Sequence, residues 1–138
     1  MNSKPNNLRI PPQNLEAERA VLGSILISEE ALNEVVELIK PEDFYDRRHS
    51  AIFNAVVELF NARMNVDLVT ISDSLQKSGK VEEAGGASYL PELVESVATA
   101  ANAVYYAQIV KERSTRRRLI DATTQIRGKG YEGEPETG

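Results

Sequence analysis

Asp43, Asp46 and His49 stand three residues apart in KPEDFYDRRHSAIFNA, residues 40 to 55, and His49 is the sole histidine of the 138-residue chain. Two carboxylates and an imidazole at helical spacing are the residue types that bind a metal or pass protons. The same spacing also describes the start of a helix. Asp46 occupies an N-cap position, and His49 precedes Ile52, Phe53 and Val56 by three, four and seven residues, which places it on a buried helical stripe. One helical turn with no second histidine in the chain is short of metal ligands. The spacing therefore favours a helix cap and a hydrogen-bonded core histidine. A metal-dependent enzyme at Asp43, Asp46 and His49 is the rival reading.

Phosphate chemistry has little support. A P-loop needs G-x-x-x-x-G-K-[ST], so that backbone amides and a lysine cradle the phosphates. Gly79-Lys80 is followed by Val81 and Gly128-Lys129 by Gly130, and neither pair has a glycine five residues before it. Nucleotide hydrolysis is not expected of this segment, and no cofactor is called for.

KERSTRRR, residues 111 to 118, holds five bases on two to three helical turns. Arg113, Arg116, Arg117 and Arg118 could meet nucleic-acid phosphates or an acidic protein surface. A solvated helix face is the plainer reading, because the patch is short and has no interleaved aromatic. The charge of the whole chain points the same way. Residues 1–110 carry 9 Lys/Arg against 16 Asp/Glu, residues 111–130 carry 7 against 2, and residues 131–138 carry three glutamates. An acidic body with one basic segment is not the pattern of a free-standing DNA binder.

The elements that would position these groups are helical. Residues 1–13 read as a flexible arm rich in proline and amide side chains, and residues 14–99 as a helical head. Asn14 can cap a first helix with Leu15, Val21, Leu22, Ile25 and Leu26 as its apolar positions and Glu16 and Glu18 in its first turn. Ser28 can cap a second, carrying Leu32, Val35, Val36 and Ile39 and ended near Ile39 by Pro41. The spacing predicts a third from about Asp46 to Ala62, a fourth from Asp67 to Gly79, and a fifth around Tyr89, Leu90, Leu93, Val94 and Val97. Gly85-Gly86 marks a turn or a close approach of backbones.

The last helix, from about Ala100 to Arg127 within a unit of residues 100–130, is long enough to outrun the head. Val104, Tyr105, Tyr106, Ile109 and Val110 are expected near the body, followed by the polar KERSTRRR. Leu119, Ile120 and Ile126 then reappear, where a protruding helix would leave them without a core. Exposed apolar positions beyond a domain body mark a partner surface. Residues 131–138 read as a linker or cut end. With 41% hydrophobic residues, 27% charged residues and no cysteine, the chain has the balance of a soluble globular protein without disulfides. No apolar run approaches the roughly 20 residues of a membrane span, so a cytoplasmic protein is the simplest reading.

Five segments together carry a resemblance: IPPQNLEAERAVLGSIL (10–26), PEDFYDRRHSAIFNA (41–55), DLVTI (67–71), GGASYLPEL (85–93) and TAANAVYYAQIVKERSTRRRLI (99–120). In this order and spacing the chain resembles the N-terminal domain of bacterial DnaB-type replicative DNA helicases, from Ile10 nearly to Gly130. One departure is Ala98, where relatives commonly place proline.

The resemblance implies an all-α fold, a compact helical head followed by a long helix that is the first arm of a helical hairpin. It implies a collar of paired subunits within a hexamer, where the C-terminal domain of DNA primase docks. A helicase loader is a further partner within the family, contact with DNA is weak or indirect, and no membrane is involved. A RecA-like ATPase domain would follow this segment, as would the second arm, beginning just past Gly138, so the segment itself would be a non-catalytic scaffold. Leu119, Ile120 and Ile126 match the first arm and Tyr89 the adjoining helix, as contacts to primase or a neighbouring subunit. A small helical nucleic-acid-binding module using residues 111–118 is the alternative.

Overall fold

In the computed structural model the backbone is described for residues 10–137 and side chains through Ile126. Asn14 accepts the Ala17 N–H at 2.9 Å and opens α1, Leu15–Ile27. This helix is apolar on nearly every side. Ala17, Val21, Leu22, Gly23, Ser24, Ile25 and Leu26 are all buried, as is the charged Glu18. A helix of that composition belongs at the centre, and α2, α3, α5 and α6 all pack against it.

Ser28 caps α2, Glu29–Val35, by accepting the Ala31 N–H at 3.1 Å. The helix is one turn shorter than its apolar spacing predicts. After Val35 the bonds tighten, with Leu38 N–H reaching the Val35 carbonyl at 2.9 Å. The chain is then extended at Lys40 to enter a 3-10 turn at Pro41–Asp43, the geometry that a residue before proline prefers. Val35 and Ile39 are still buried, so the core face survives the unwinding.

Asp46 caps α3, Arg47–Asn61, as its position predicts, accepting the Arg48 N–H at 2.9 Å. Ile52, Phe53, Val56 and Leu59 form its buried stripe, with Phe53 against Phe44 at 5.2 Å between ring centroids. The Asp67–Thr70 capping box starts α4, Leu68–Ser78, and Gly79 ends it in the left-handed conformation, φ +71°. Gly85 also has positive φ, +101°, and sits beside the Tyr89 ring that begins α5, Tyr89–Glu95.

Where α1 crosses α5, Gly23 admits the partner backbone. A Cβ there would lie 2.4 Å from the Leu93 carbonyl oxygen and 2.9 Å from a Val97 methyl. Alanine would add about 1 kcal/mol of helix propensity. A clash with backbone that cannot rotate away costs about 1–3 kcal/mol and dominates. Gly23→Ala is therefore expected to lower the thermal midpoint, and a midpoint at or above that of the parent would refute this packing.

The final helix, α6, runs Ala103–Thr137, 35 residues or about 50 Å. Ala103, Ala107, Val110 and Ser114 are its buried positions, at intervals of four, three and four. Tyr105, expected near the body, is 61% exposed instead. The small side chains of Ala103 and Ala107 form the face laid against the head, and Tyr105 stands about 200° round from Ala103. Past Ser114 no position through Ile126 is fully buried.

Two boundaries differ from the sequence reading. The helix continues through Gly128, Gly130, Gly133 and Pro135, across residues read as a linker or cut end. Residues 1–9 of the arm lie outside the described residues. Of the remainder, Pro12 is not free, because its carbonyl accepts an N–H from Arg117 at 2.7 Å.

Among the described residues there is no strand. No helix among them is long and apolar enough to cross a membrane.

Candidate partner-binding site

His49 lies in the interior, fully buried between α1 and α5. Its Nδ1 is 2.7 Å from Glu18 Oε1 and its Nε2 2.6 Å from the Tyr89 hydroxyl. Glu18 also accepts the backbone N–H of Tyr45 at 2.6 Å and of Asp46 at 3.3 Å. Both carboxylate oxygens therefore receive N–H donors, which assigns the proton to Nδ1, and Nε2 accepts from the tyrosine. Burial pushes the Tyr89 phenol above its ordinary value of 10.0, against the pull of Arg48, and keeps it a donor.

The imidazole and phenol rings stack at 5.8 Å, and the Arg48 guanidinium covers the Tyr89 ring at 4.3 Å. Glutamate, histidine and tyrosine in a chain can relay a proton. Here all three are sealed among α1, α3 and α5, so what they do is tie these helices together.

The carboxylates of the opening triplet do not join His49 around one centre. Asp46 is turned to its cap and to Arg48, 2.7 Å away, and comes no nearer than 4.0 Å to His49. Asp43 faces α6. Among the described residues no three His, Cys, Asp or Glu side chains are grouped as metal ligands.

Asp43 organises a second cluster. Its buried carboxylate accepts from Ser114 Oγ at 2.7 Å, from Arg118 at 2.5 Å and from the Lys40 N–H at 2.8 Å, with Lys111 Nζ at 3.6 Å. Burial alone would raise its pKa, but these donors and cations together hold it below the ordinary 3.8. A carboxylate depressed on folding stabilises the fold above its unfolded pKa, and that stability is lost as pH falls through the folded value. Unfolding free energy is therefore expected to fall below about pH 4. Asp43→Asn should be less stable at neutral pH and lose less between pH 4 and pH 2, a difference that denaturant titrations at several pH values would show.

The basic segment is largely engaged. Arg117 donates to the carbonyls of Asp43 and Pro12, both at 2.7 Å, and lies 5.5 Å from the Tyr45 ring. Arg118 binds Asp43. Arg113 and Arg116 both pair with Glu112, the latter at 3.7 Å, and such exposed pairs hold little energy.

The apolar residues beyond this junction are open. Leu119 is 62% exposed, Ile120 51% and Ile126 70%. Leu119 and Ile126 lie on one seam of α6, with Ile120 about 100° round from Leu119. Tyr89, grouped with them by sequence, is instead buried in the head with its hydroxyl bound to His49. Three of the four residues thus share one exposed helix and the fourth supports the head from within.

Glu18 and Ser114 were not singled out by sequence as network members. The signal for Glu18 was its place three and four residues before Val21 and Leu22 on the buried stripe of α1.

The architecture and the sequence have known counterparts. A family model described as the DnaB-like helicase N-terminal domain matches residues 10–112. The replicative DNA helicase DnaB of Geobacillus stearothermophilus is 48% identical over 128 residues, 93% of this chain and 28% of that protein. Replicative DNA helicase DnaC of Bacillus subtilis (strain 168) is 48% identical over 130 residues, 94% of this chain and 29% of that protein. The chain thus spans under a third of the length of these relatives.

The crystal structure of the N-terminal domain of the Mycobacterium tuberculosis DnaB helicase superposes with a TM-score of 0.86 at 42% identity, covering 90% of this chain and 86% of that one. A DnaB-like replicative helicase, in a structure describing its interactions with primase, gives 0.76 at 32% identity over 86% of this chain and 28% of that one. The all-helical head, the long α6 and the matched residues 10–112 together establish that the chain belongs to the DnaB-like helicase N-terminal domain family.

Proposed function

We propose that this domain is a non-catalytic scaffold of a replicative DNA helicase. It pairs subunits in the collar of a hexamer and docks the C-terminal domain of DNA primase, coupling priming to unwinding in the cytoplasm. The motor of such a protein would lie in its ATPase domain. The observation that carries the reading is the exposed apolar set Leu119, Ile120 and Ile126 on a helix that outruns the head. Apolar anchors of this kind supply most of the affinity of an interface, and charges beside them set register. Tyr89, buried with its hydroxyl on His49, holds the head together rather than meeting a partner. The DnaB-like relative whose structure describes interactions with primase supports the choice of partner.

The rival module binding DNA through residues 111–118 has less to offer, since Arg117 already bridges two carbonyls of the head and Arg113 and Arg116 pair with Glu112.

Hydrogen exchange tests the proposal directly. On addition of the primase C-terminal domain, amides of residues 116–126 are expected to exchange more slowly, while α4 is unchanged. Protection confined to the head, or none at saturating primase, would contradict the docking role.

A further inference from the structure

Asp43 lies where three segments meet: the stretch before α1, the 3-10 turn and α6. The apolar stripe of α6 ends with Val110. Beyond it, α6 is held to the head by polar contacts. Ser114 and Arg118 donate to the buried Asp43 carboxylate, and Arg117 bridges the carbonyls of Asp43 and Pro12.

We propose that Asp43, Ser114, Arg117 and Arg118 form a conformational latch. Closed, the latch fixes the direction in which α6 leaves the head and pins the segment before α1 beneath it. Open, it frees both together.

Two features make this a switch rather than ordinary packing. The side chains of Lys111 and Arg118 reach Asp43 from solvent, 42% and 51% exposed, so an incoming anionic group can draw them away. The carboxylate they leave is fully buried. A buried charge stripped of its cations is strongly disfavoured, so a half-open junction is unstable and the contacts close or open as a unit. The latch goes beyond the scaffold reading and does not depend on which partner takes the far end of α6.

The chain has no cysteine, so two can be introduced at exposed positions, Gln76→Cys on α4 and Ala122→Cys on α6, and spin-labelled. Pulsed electron paramagnetic resonance on labelled chain, diluted with unlabelled chain, then reports the head-to-arm distance without any partner. The parent is expected to show one narrow distribution. Arg117→Gln and Asp43→Asn are each expected to make it about two-fold wider or to add a second distance, with helical circular dichroism retained. If Asp43→Asn does not fold, Arg117→Gln carries the test alone, because its side chain lies at the junction rather than in the apolar core. An unchanged distribution in folded Arg117→Gln would overturn the latch. Because no primase is present, that result leaves the docking proposal untouched, and a failure of docking leaves the latch untouched.

Discussion

Glu18→Ala is expected to remove about 3–5 kcal/mol of folding free energy, the largest loss of any single substitution considered. The carboxylate serves three N–H donors at once, His49 Nδ1 and the backbone amides of Tyr45 and Asp46. Deleting it strands the fully buried His49 donor and takes the partner from two part-buried amides. An unsatisfied buried donor costs about 1–3 kcal/mol, and with two part-buried amides also losing their acceptor the sum exceeds the roughly 1 kcal/mol typical of a point mutation. In a domain of this size the midpoint of thermal unfolding should fall by roughly 10–20 °C.

The effect should also be strongly non-additive. Adding His49→Leu to Glu18→Ala removes one stranded donor and should cost far less than His49→Leu alone. A fall of only a few degrees, or simple additivity of the two substitutions, would show that the buried chain does not bind α1, α3 and α5 as described.

Ile120→Asp should act oppositely, sparing the fold and removing the partner. Its side chain is 51% exposed, so the isolated domain should change by no more than about 0.5 kcal/mol. Against a partner, a buried isoleucine contributes about 1.5–3 kcal/mol, and an aspartate in its place adds the cost of a desolvated charge. Affinity should therefore drop at least about ten-fold, and about a hundred-fold if the residue is central. Ile126→Asp should do the same where the contact extends that far along α6. Loss of affinity accompanied by a fallen melting temperature would mean that these residues support the fold instead.

Much of the head was legible because local signals agree with one another there. Asn14, Ser28, Asp46 and Asp67 each cap the helix that their positions announce. The apolar spacing of α3 marks its buried stripe, and His49 lies on it.

What the spacing could not reveal was partnership across long separations. Glu18 looked like an acidic residue favoured by the helix dipole, and only the fold brings it to His49, 31 residues away. Asp43 looked like one of a triplet with Asp46 and His49. It turns instead to Ser114, 71 residues on, because the 3-10 turn aims it at α6. Tyr105 misled because aromatic character outweighed face. The buried face of α6 is Ala103, Ala107, Val110 and Ser114, and its small members are faint in any pattern based on large apolar residues. The basic segment 111–118 has the pattern of a patch, and its periodicity does not show that two of its arginines are held by Asp43 and Pro12.

The far part of α6 is proposed as a docking surface for primase. Its most direct test is calorimetric titration of this chain with the C-terminal domain of the cognate primase, run beside Ile120→Asp of matched melting temperature. Saturable binding by the parent, weakened about ten-fold or more by the substitution, is the predicted result. Equal affinity for parent and Ile120→Asp, or no binding even when the chain is extended past Gly138, would contradict it.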